Sequence, residues 1–301
     1  MNSLYSPETP EQFLARAFTE HVLTWMRDNN RSDPVAERPV ALLRDAACRL
    51  SLAVSSGHVC LPLSELADPA TGRDVQTVRR QLLASGVVEK ADAPGSAPLV
   101  LDRGNRLYLH RYFDYERALA KRLSTMCRSV KTDTATVRSL LDALFPSAKD
   151  NALINWQKIA VALALSRSLL IVSGGPGTGK TTTVAALLAC LLESDPQNRV
   201  MLAAPTGKAA ARMLEAIGQH ASLFPLHLRP MVPKEARTLH RLLGMTGNAT
   251  FFRYHAGHPL PLDTLVVDEA SMLDLAMASS LFAALPPHAR VILLGDRDQL
   301  S

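Results

Sequence analysis

Residues 174–181, Gly174-Gly175-Pro176-Gly177-Thr178-Gly179-Lys180-Thr181, place glycines, an ammonium and a hydroxyl at the spacing G-x-x-x-x-G-K-[ST]. Glycines let a backbone turn its N–H groups inward around phosphate oxygens, and the helix that follows adds partial positive charge at its N-terminus. Lys180 is then the residue to reach the terminal phosphates, and the Thr181 hydroxyl can ligate Mg²⁺. The apolar, β-rich run Leu169–Val172 leads into the loop, and Thr182–Leu192 behind it is rich in helix formers. Strand, glycine loop and helix in that order imply nucleotide binding.

Two other segments carry chemistry of the same kind. Leu265-Val266-Val267 runs into Asp268-Glu269, an apolar strand ending in two carboxylates. A hard oxygen ligand near Mg²⁺ suits Asp268, acting through water, and a base for the attacking water suits Glu269. An acidic pair alone is also a common helix start; its place after a second apolar strand favours the catalytic reading. Val291–Leu294 leads into Gly295-Asp296-Arg297-Asp298-Gln299, where Gln299 could sense a γ-phosphate or simply cap a surface turn. Gln157, in Asn155-Trp156-Gln157-Lys158, offers an amide matched to both edges of adenine, or a solvent-facing residue in a helix first turn.

Pro205-Thr206-Gly207-Lys208 follows the strand Val200–Ala203, and Thr238-Leu239-His240-Arg241 supplies another hydroxyl and cation. Pro205, Thr206, Lys208, Thr238 and His240 could hold a phosphodiester. Read by themselves, both segments are more simply ordinary helix starts. His255 and His258 lack a partner at metal-ligand spacing and are expected as plain surface or core histidines.

The elements that must position these groups alternate apolar runs, at Leu169–Val172, Val200–Ala203, Leu265–Val267 and Val291–Leu294, with amphipathic helices. That alternation predicts an α/β domain with a parallel sheet buried on both faces, its ligands beyond the carboxyl ends of the strands. Upstream, helical periodicity over Glu11–Arg27, Pro39–Ser55 and Val75–Ser85 predicts a small, mainly helical domain, with a hairpin turning at Asp102–Asn105. The expected boundaries are 1–110 for this N-terminal domain, 111–148 for a basic helical connector, and 149–301 for the nucleotide-binding domain.

Of 301 residues, 47% are hydrophobic and 20% charged, the balance of an ordinary globular protein with ample core. The start of the chain carries no apolar signal core, and no apolar run approaches the ~20 residues that span a bilayer. A cytoplasmic location without membrane contact is therefore expected. Cys48, Cys60, Cys127 and Cys190 lie too far apart to suggest zinc or a disulfide framework. Residues 1–110 hold 12 Lys/Arg against 13 Asp/Glu, whereas 111–150 hold 8 against 5 and 151–301 hold 13 against 10. The surplus of positive charge outside the N-terminal third suits a polyanionic partner without proving one.

Taken in order, Gln157, GGPGTGKTT (174–182), APTGKAA (204–210), TLHRLLG (238–244), VVDEAS (266–271) and LLGDRDQL (293–300) resemble the motif series of superfamily 1 DNA helicases. Within them the sequence is most similar to the RecD, or alpha-subunit, family of exodeoxyribonuclease V. GHVCLPLSEL (57–66), RLYLHRYFDYER (106–117) and INWQKIAVALAL (154–165) extend the likeness over most of 57–301. The resemblance implies a RecA-like P-loop NTPase domain and a 5′→3′ ATP-driven motor on single-stranded DNA. That motor would work beside a nuclease-helicase (beta) and a scaffold (gamma) subunit in double-strand-break repair, with the N-terminal domain serving assembly.

Carried over by motif, the run from Gly174 to Thr182 binds ATP, Thr181 and Asp268 hold Mg²⁺, and Gln157 reads adenine. Lys180, Asp268, Glu269 and Gln299 serve hydrolysis, and Pro205, Thr206, Lys208, Thr238 and His240 contact DNA. The family's second RecA-like domain, with arginines that reach the γ-phosphate, has no counterpart before Ser301. The chain is accordingly expected to be an N-terminal fragment with weak ATP binding, little turnover and no unwinding of its own. A stand-alone RecD-like helicase, an inert P-loop assembly module and a generic P-loop ATPase are the competing expectations.

Overall fold

The structure, a computed structural model, describes residues 9–29, 40–68, 70, 72–129, 134–145, 154–175, 177–245 and 251–296. Two compact units divide between Arg117 and Ala118. In the first, α1 (Pro10–Asn29) packs along α2 (Val40–Ser55). Val22, Leu23 and Met26 recur at helical spacing on α1 and meet Leu42, Leu43, Ala46 and Leu50 of α2 in one buried core. Four short strands, β1 (Leu61–Pro62), β2 (Val88–Lys90), β3 (Leu99–Leu101) and β4 (Arg106–Leu109), form a sheet in the order β1-β4-β3-β2.

The expected hairpin is β3–β4, with Leu99 opposite Leu109 and Leu101 opposite Leu107. Its turn is fixed chemically. Asp102 accepts the Arg106 N–H at 2.8 Å and pairs with the same residue's guanidinium, while Asn105 takes the left-handed φ of 59° that asparagine tolerates. Arg79 of α3 (Val75–Leu83) donates to the Asp102 carbonyl and the Asn105 amide oxygen. The hairpin is thus half of a sheet larger than the sequence suggests. β2 offers only three residues, starting two positions after Gly86, too few to register as a strand without its parallel partner β3.

The division between the units falls inside α4 (His110–Met126), within the stretch 111–148 expected as a connector. Leu119, Leu123 and Met126 from the latter part of α4 join one core of the second unit. Leu140, Leu141 and Leu144 of α5 (Thr134–Leu144) join another. The basic run is not simply a solvated face either. Arg122 donates to the carbonyls of Leu285 and Pro286 at 3.0 and 2.8 Å, and Arg128 to that of Pro287 at 2.7 Å. These bonds fasten residues 118–129 to a turn some 160 positions later.

The second unit continues through α6 (Trp156–Ser166), β5 (Leu169–Ser173), α7 (Lys180–Ser194), β6 (Val200–Ala204) and α8 (Gly207–Gln219). Then come β7 (Ala236–Thr238), α9 (Leu239–Leu242), β8 (Thr264–Val267), α10 (Leu275–Ala283) and β9 (Arg290–Gly295). Among the described residues the strands form one sheet in the order β5-β9-β8-β6-β7, and every neighbouring pair is parallel. β8 is buried throughout, as its unbroken apolar run requires. β5 stands at the end of the order and is only partly covered, with Ile171 66% exposed, so the expectation of strands buried on both faces fails there. β7 is a fifth strand that Ala236-Arg237-Thr238 hardly announces, being short and polar.

α7 carries the phosphate loop and is the central helix. Thr183 through Leu192 are all buried, and Leu187, Leu188 and Leu191 pack with Val161 of α6, Leu202 of β6 and Met213 of α8. A helix apolar on every side can be stable only when enclosed, and each such leucine contributes roughly 1.5–3 kcal/mol by burial. The loop is therefore mounted on the best-packed element of its unit.

Candidate nucleotide-binding site

Parallel pairing brings the carboxyl ends of all five strands to one edge: Ser173 lies opposite Gly295, Ala203 opposite Val267 and Ala204 opposite Thr238. The predicted residues emerge there. Gly174 and Gly175 leave β5, and Gly177, Thr178 and Gly179 lead into Lys180 at the first position of α7. Pro176 and Gln299 lie outside the described residues.

The loop's conformation follows from its residues. Gly177 and Gly179 have φ of 76° and 80°, which L side chains seldom adopt. At Gly179 a Cβ would also collide with the Gln157 amide, which lies directly against the loop. The Thr178 hydroxyl donates back to the Gly175 carbonyl at 2.9 Å, closing the turn. The Lys180 ammonium donates to the carbonyl of Gly174 and, at 3.5 Å, to that of Gly295, so it is anchored between β5 and β9.

Asp268 follows β8, its backbone N–H held by the Ala203 carbonyl at 2.9 Å. One carboxylate oxygen accepts the Glu269 N–H at 2.9 Å. Glu269 itself sits in the left-handed region with φ 51°, a conformation that costs a non-glycine residue about 1–2 kcal/mol. Both carboxylates are half-buried. A cleft of about 460 Å³ is lined by Gly177, Lys180, Thr181, Asp268 and Glu269 together. The far wall of that cleft is α8, through Ala209, Arg212, Met213, Glu215 and Gln219.

Sequence reasoning missed the α8 residues. Their contact with the cleft depends on how α8 crosses the sheet, and the helix's periodicity marks only its buried stripe, Ala209, Ala210, Met213 and Ile217. Gln157 is placed in the first turn of α6 beside Gly179, close to the loop as expected. Thr182, on the same turn of α7 as Lys180, has its hydroxyl 3.2 Å from the imidazole of His220, the residue that ends α8.

The five residues weighed as phosphodiester contacts do not line the cleft. They stand at the ends of the adjacent strands β6 and β7 instead. Thr206 accepts the Ala209 N–H at 3.2 Å and caps α8; Thr238 accepts the Arg241 N–H at 3.4 Å and caps α9. Both hydroxyls thus serve as ordinary helix starts, and each keeps a proton to donate. Thr206, Lys208 and His240 are exposed, Pro205 and Thr238 half-buried. The His240 ring lies 6.2 Å from that of Phe252. His255 and His258 are exposed and joined only through their backbones, and among the described residues no cluster of His, Cys, Asp or Glu is arranged to hold a metal. No helix among those residues is long and apolar enough to cross a membrane.

Comparison with known proteins fits this geometry. A family model described as an AAA domain matches residues 157–301, and one described as the N-terminal domain of RecBCD enzyme subunit RecD matches residues 14–108. RecBCD enzyme subunit RecD of Haemophilus influenzae is 39% identical over 215 residues, covering 68% of this chain and 33% of that protein. The subunit from Mycobacterium tuberculosis is 37% identical over 280 residues, 89% of this chain and 47% of its own length. The ATP-dependent RecD2 DNA helicase of Deinococcus radiodurans is 35% identical over 270 residues, 87% of this chain and 35% of that protein. The chain thus spans about a third to a half of the length of these relatives. With the RecD N-terminal model on its first unit, an AAA-domain model on its second, and RecD proteins aligned across most of its length, this chain belongs to the RecD family.

Proposed function

We propose that the chain is the ATP-binding part of a DNA helicase, a 5′→3′ translocase on single-stranded DNA. The observation that carries the reading is the convergence of Lys180, Thr181, Asp268 and Glu269 on one cleft beneath a glycine loop. Loop N–H groups and Lys180 hold the β- and γ-phosphates, exchanging the ammonium's bonds to backbone carbonyls for bonds to phosphate oxygens. Thr181 and Asp268 supply the hard oxygens that Mg²⁺ requires, and both line the cleft. The ion would neutralise charge building on the phosphates. Glu269, fixed by its backbone against Asp268, orients and deprotonates the attacking water. Gln157 contacts the nucleotide at the loop, with adenine as its partner, and Gln299 senses the γ-phosphate.

DNA runs over the ends of β6 and β7, where Pro205, Thr206, Lys208, Thr238 and His240 meet phosphodiesters. Helix starts there present backbone N–H groups, and the capping hydroxyls retain protons to give. The names of the aligned relatives support assembly into a RecBCD-type enzyme; from the motif resemblance we extend this to nuclease-helicase and scaffold partners and to work on double-strand breaks in the cytoplasm.

The test uses the full-length protein. Single-stranded oligonucleotide should accelerate ATP hydrolysis, and Lys180→Ala should lower the stimulated rate by about 10²–10³-fold, the usual cost of losing one transition-state donor. An ATPase indifferent to oligonucleotide would reduce the reading to a generic P-loop enzyme. One unchanged by Lys180→Ala would leave an assembly module. A second reading, a stand-alone helicase, draws on the alignment with the Deinococcus RecD2 helicase. Affinity purification from the native cell separates the two, because the stand-alone enzyme brings down neither partner subunit.

A further inference from the structure

We propose that His220 is a positioning residue, coupling the helix that carries the DNA contacts to the helix that carries the phosphate loop. The inference rests on the DNA-motor reading above and adds a route between its two sites. α8 has 13 residues and is about 20 Å long at 1.5 Å per residue. Thr206 and Lys208 lie at its start, and His220 ends it. Along its length Ala209, Arg212, Met213, Glu215 and Gln219 form a wall of the cleft that holds Lys180, Thr181, Asp268 and Glu269. A single helix therefore touches both regions.

What fastens α8 to α7 differs from place to place. Met213 and Ile217 pack with Val184, Ala185 and Leu188 in a wholly apolar contact. Apolar contact is non-directional and lets neighbouring helices slide by fractions of an ångström. The bond of 3.2 Å between His220 Nε2 and Thr182 Oγ1 is directional, half-buried, and made to the first turn of α7, two residues from Lys180. The backbone that carries the imidazole is held on its own side too. The His220 backbone N–H donates to the Ile217 carbonyl at 3.1 Å, and Phe224, four residues on, is buried in the core around α7. A displacement of α8 produced by phosphodiester binding at Thr206 and Lys208 is thus delivered to Thr182, and through it to the loop. Coupling of this kind needs an element that both ligands bias, and α8 meets that condition geometrically.

The experiment compares His220→Leu, which keeps volume but removes the hydrogen bond, with His220→Gln, which restores a donor and acceptor. In full-length protein three quantities are measured: ATP-analogue affinity without DNA, oligo(dT) affinity without nucleotide, and kcat with saturating oligo(dT) divided by kcat without it. His220→Leu should lower that ratio about 5- to 20-fold, within the usual span of coupling free energies, while both affinities stay within about twofold. His220→Gln should recover most of the ratio. If neither variant changes the ratio, or if both lose ATP affinity in proportion, His220 only supports the fold or the nucleotide site and the proposal is overturned. Should His220→Leu not fold, an unchanged ratio in a double variant, His220→Gln with Thr182→Val, overturns it equally. Wild-type protein showing no stimulation by oligo(dT) would instead remove the DNA-motor reading, and this inference with it.

Discussion

The two ends of the parallel sheet use similar residue types for opposite purposes. At the amino end Asp263, just ahead of β8, takes a bidentate pair of bonds from Arg199, both 2.8 Å, a third from the Arg199 N–H and a fourth from His288 at 3.0 Å. The Arg199 guanidinium holds the Asp263 carboxyl well below the usual carboxylate range. Nearby Arg290 spends its charge on the Leu165 carbonyl, and burial lowers its pKa. At the carboxyl end, among the described residues, Lys180 meets only backbone carbonyls, and Asp268 engages one oxygen with a backbone N–H. At one end Asp263 is saturated by Arg199 and His288; the other end holds its charges where a ligand can compete for them. Backbone conformation follows the same division, for the uncommon φ values of Gly177, Gly179 and Glu269 all fall at the carboxyl end.

The contrast can be broken most severely at Glu269. Glu269→Gln keeps the shape and the backbone bond to Asp268, so ATP affinity should change by less than about threefold while hydrolysis falls about 10²–10⁴-fold. Equilibrium binding of a fluorescent ATP analogue, set against steady-state turnover in the full-length protein, checks both halves. Equal losses in the two would mean that Glu269 only shapes the loop. Gly179→Ala should come next, because the left-handed φ adds about 1–2 kcal/mol and the new methyl meets the Gln157 amide. Nucleotide affinity and thermal stability should both drop, and Gln157→Ala in the same chain should recover part of the stability; no recovery would show that the amide is not wedged there.

The amino end should respond in stability rather than in turnover. Asp263→Asn is expected to cost about 1 kcal/mol, discounted for partial exposure, with nucleotide affinity untouched. The sign of its pH dependence is fixed by the lowered pKa. Wild-type stabilisation by this carboxylate is complete above the unfolded value near 4 and is lost as pH falls below it. Urea titrations at a series of pH values should show that acid loss blunted in Asp263→Asn. The mildest test probes the packed layer between the ends. Cys127 is exposed, whereas Cys190 is buried in α7 with its thiol pushed up to about 12, so native alkylation should mark Cys127 and spare Cys190. Prompt labelling of Cys190 would reveal a loose helix beneath the loop.

Much of this was legible before any coordinates because catalysis restricts residue type as well as spacing. Gly179, Lys180 and Asp268 each sit where one chemical property is indispensable, and the apolar runs of β6, β8 and β9 are long enough to announce buried strands. β7 is three residues with an arginine in the middle, and nothing local distinguishes it from a loop. Arg122 and Arg128 look like solvent-facing charges until residues 285–287 are folded against them. The capping roles of Thr206 and Thr238 were visible as an alternative, and the structure adds that capping leaves a proton on each hydroxyl. Arg212, Gln219 and His220 could not have been found, since local sequence does not encode how α8 lies across the sheet.

Among the described residues β5 is paired on one side only, through the ladder from Leu169–Val291 to Ser173–Gly295. In terms of local opening, the strand that delivers the phosphate loop is one of the two end strands of the described sheet, while β8 is locked between two neighbours. Amides of β5 should therefore exchange with solvent long before those of β8, and the loop can rearrange around a triphosphate without melting the core beneath it. A partly loosened strand at this position makes ligand-driven ordering inexpensive, so tightening of β5 should itself register nucleotide binding.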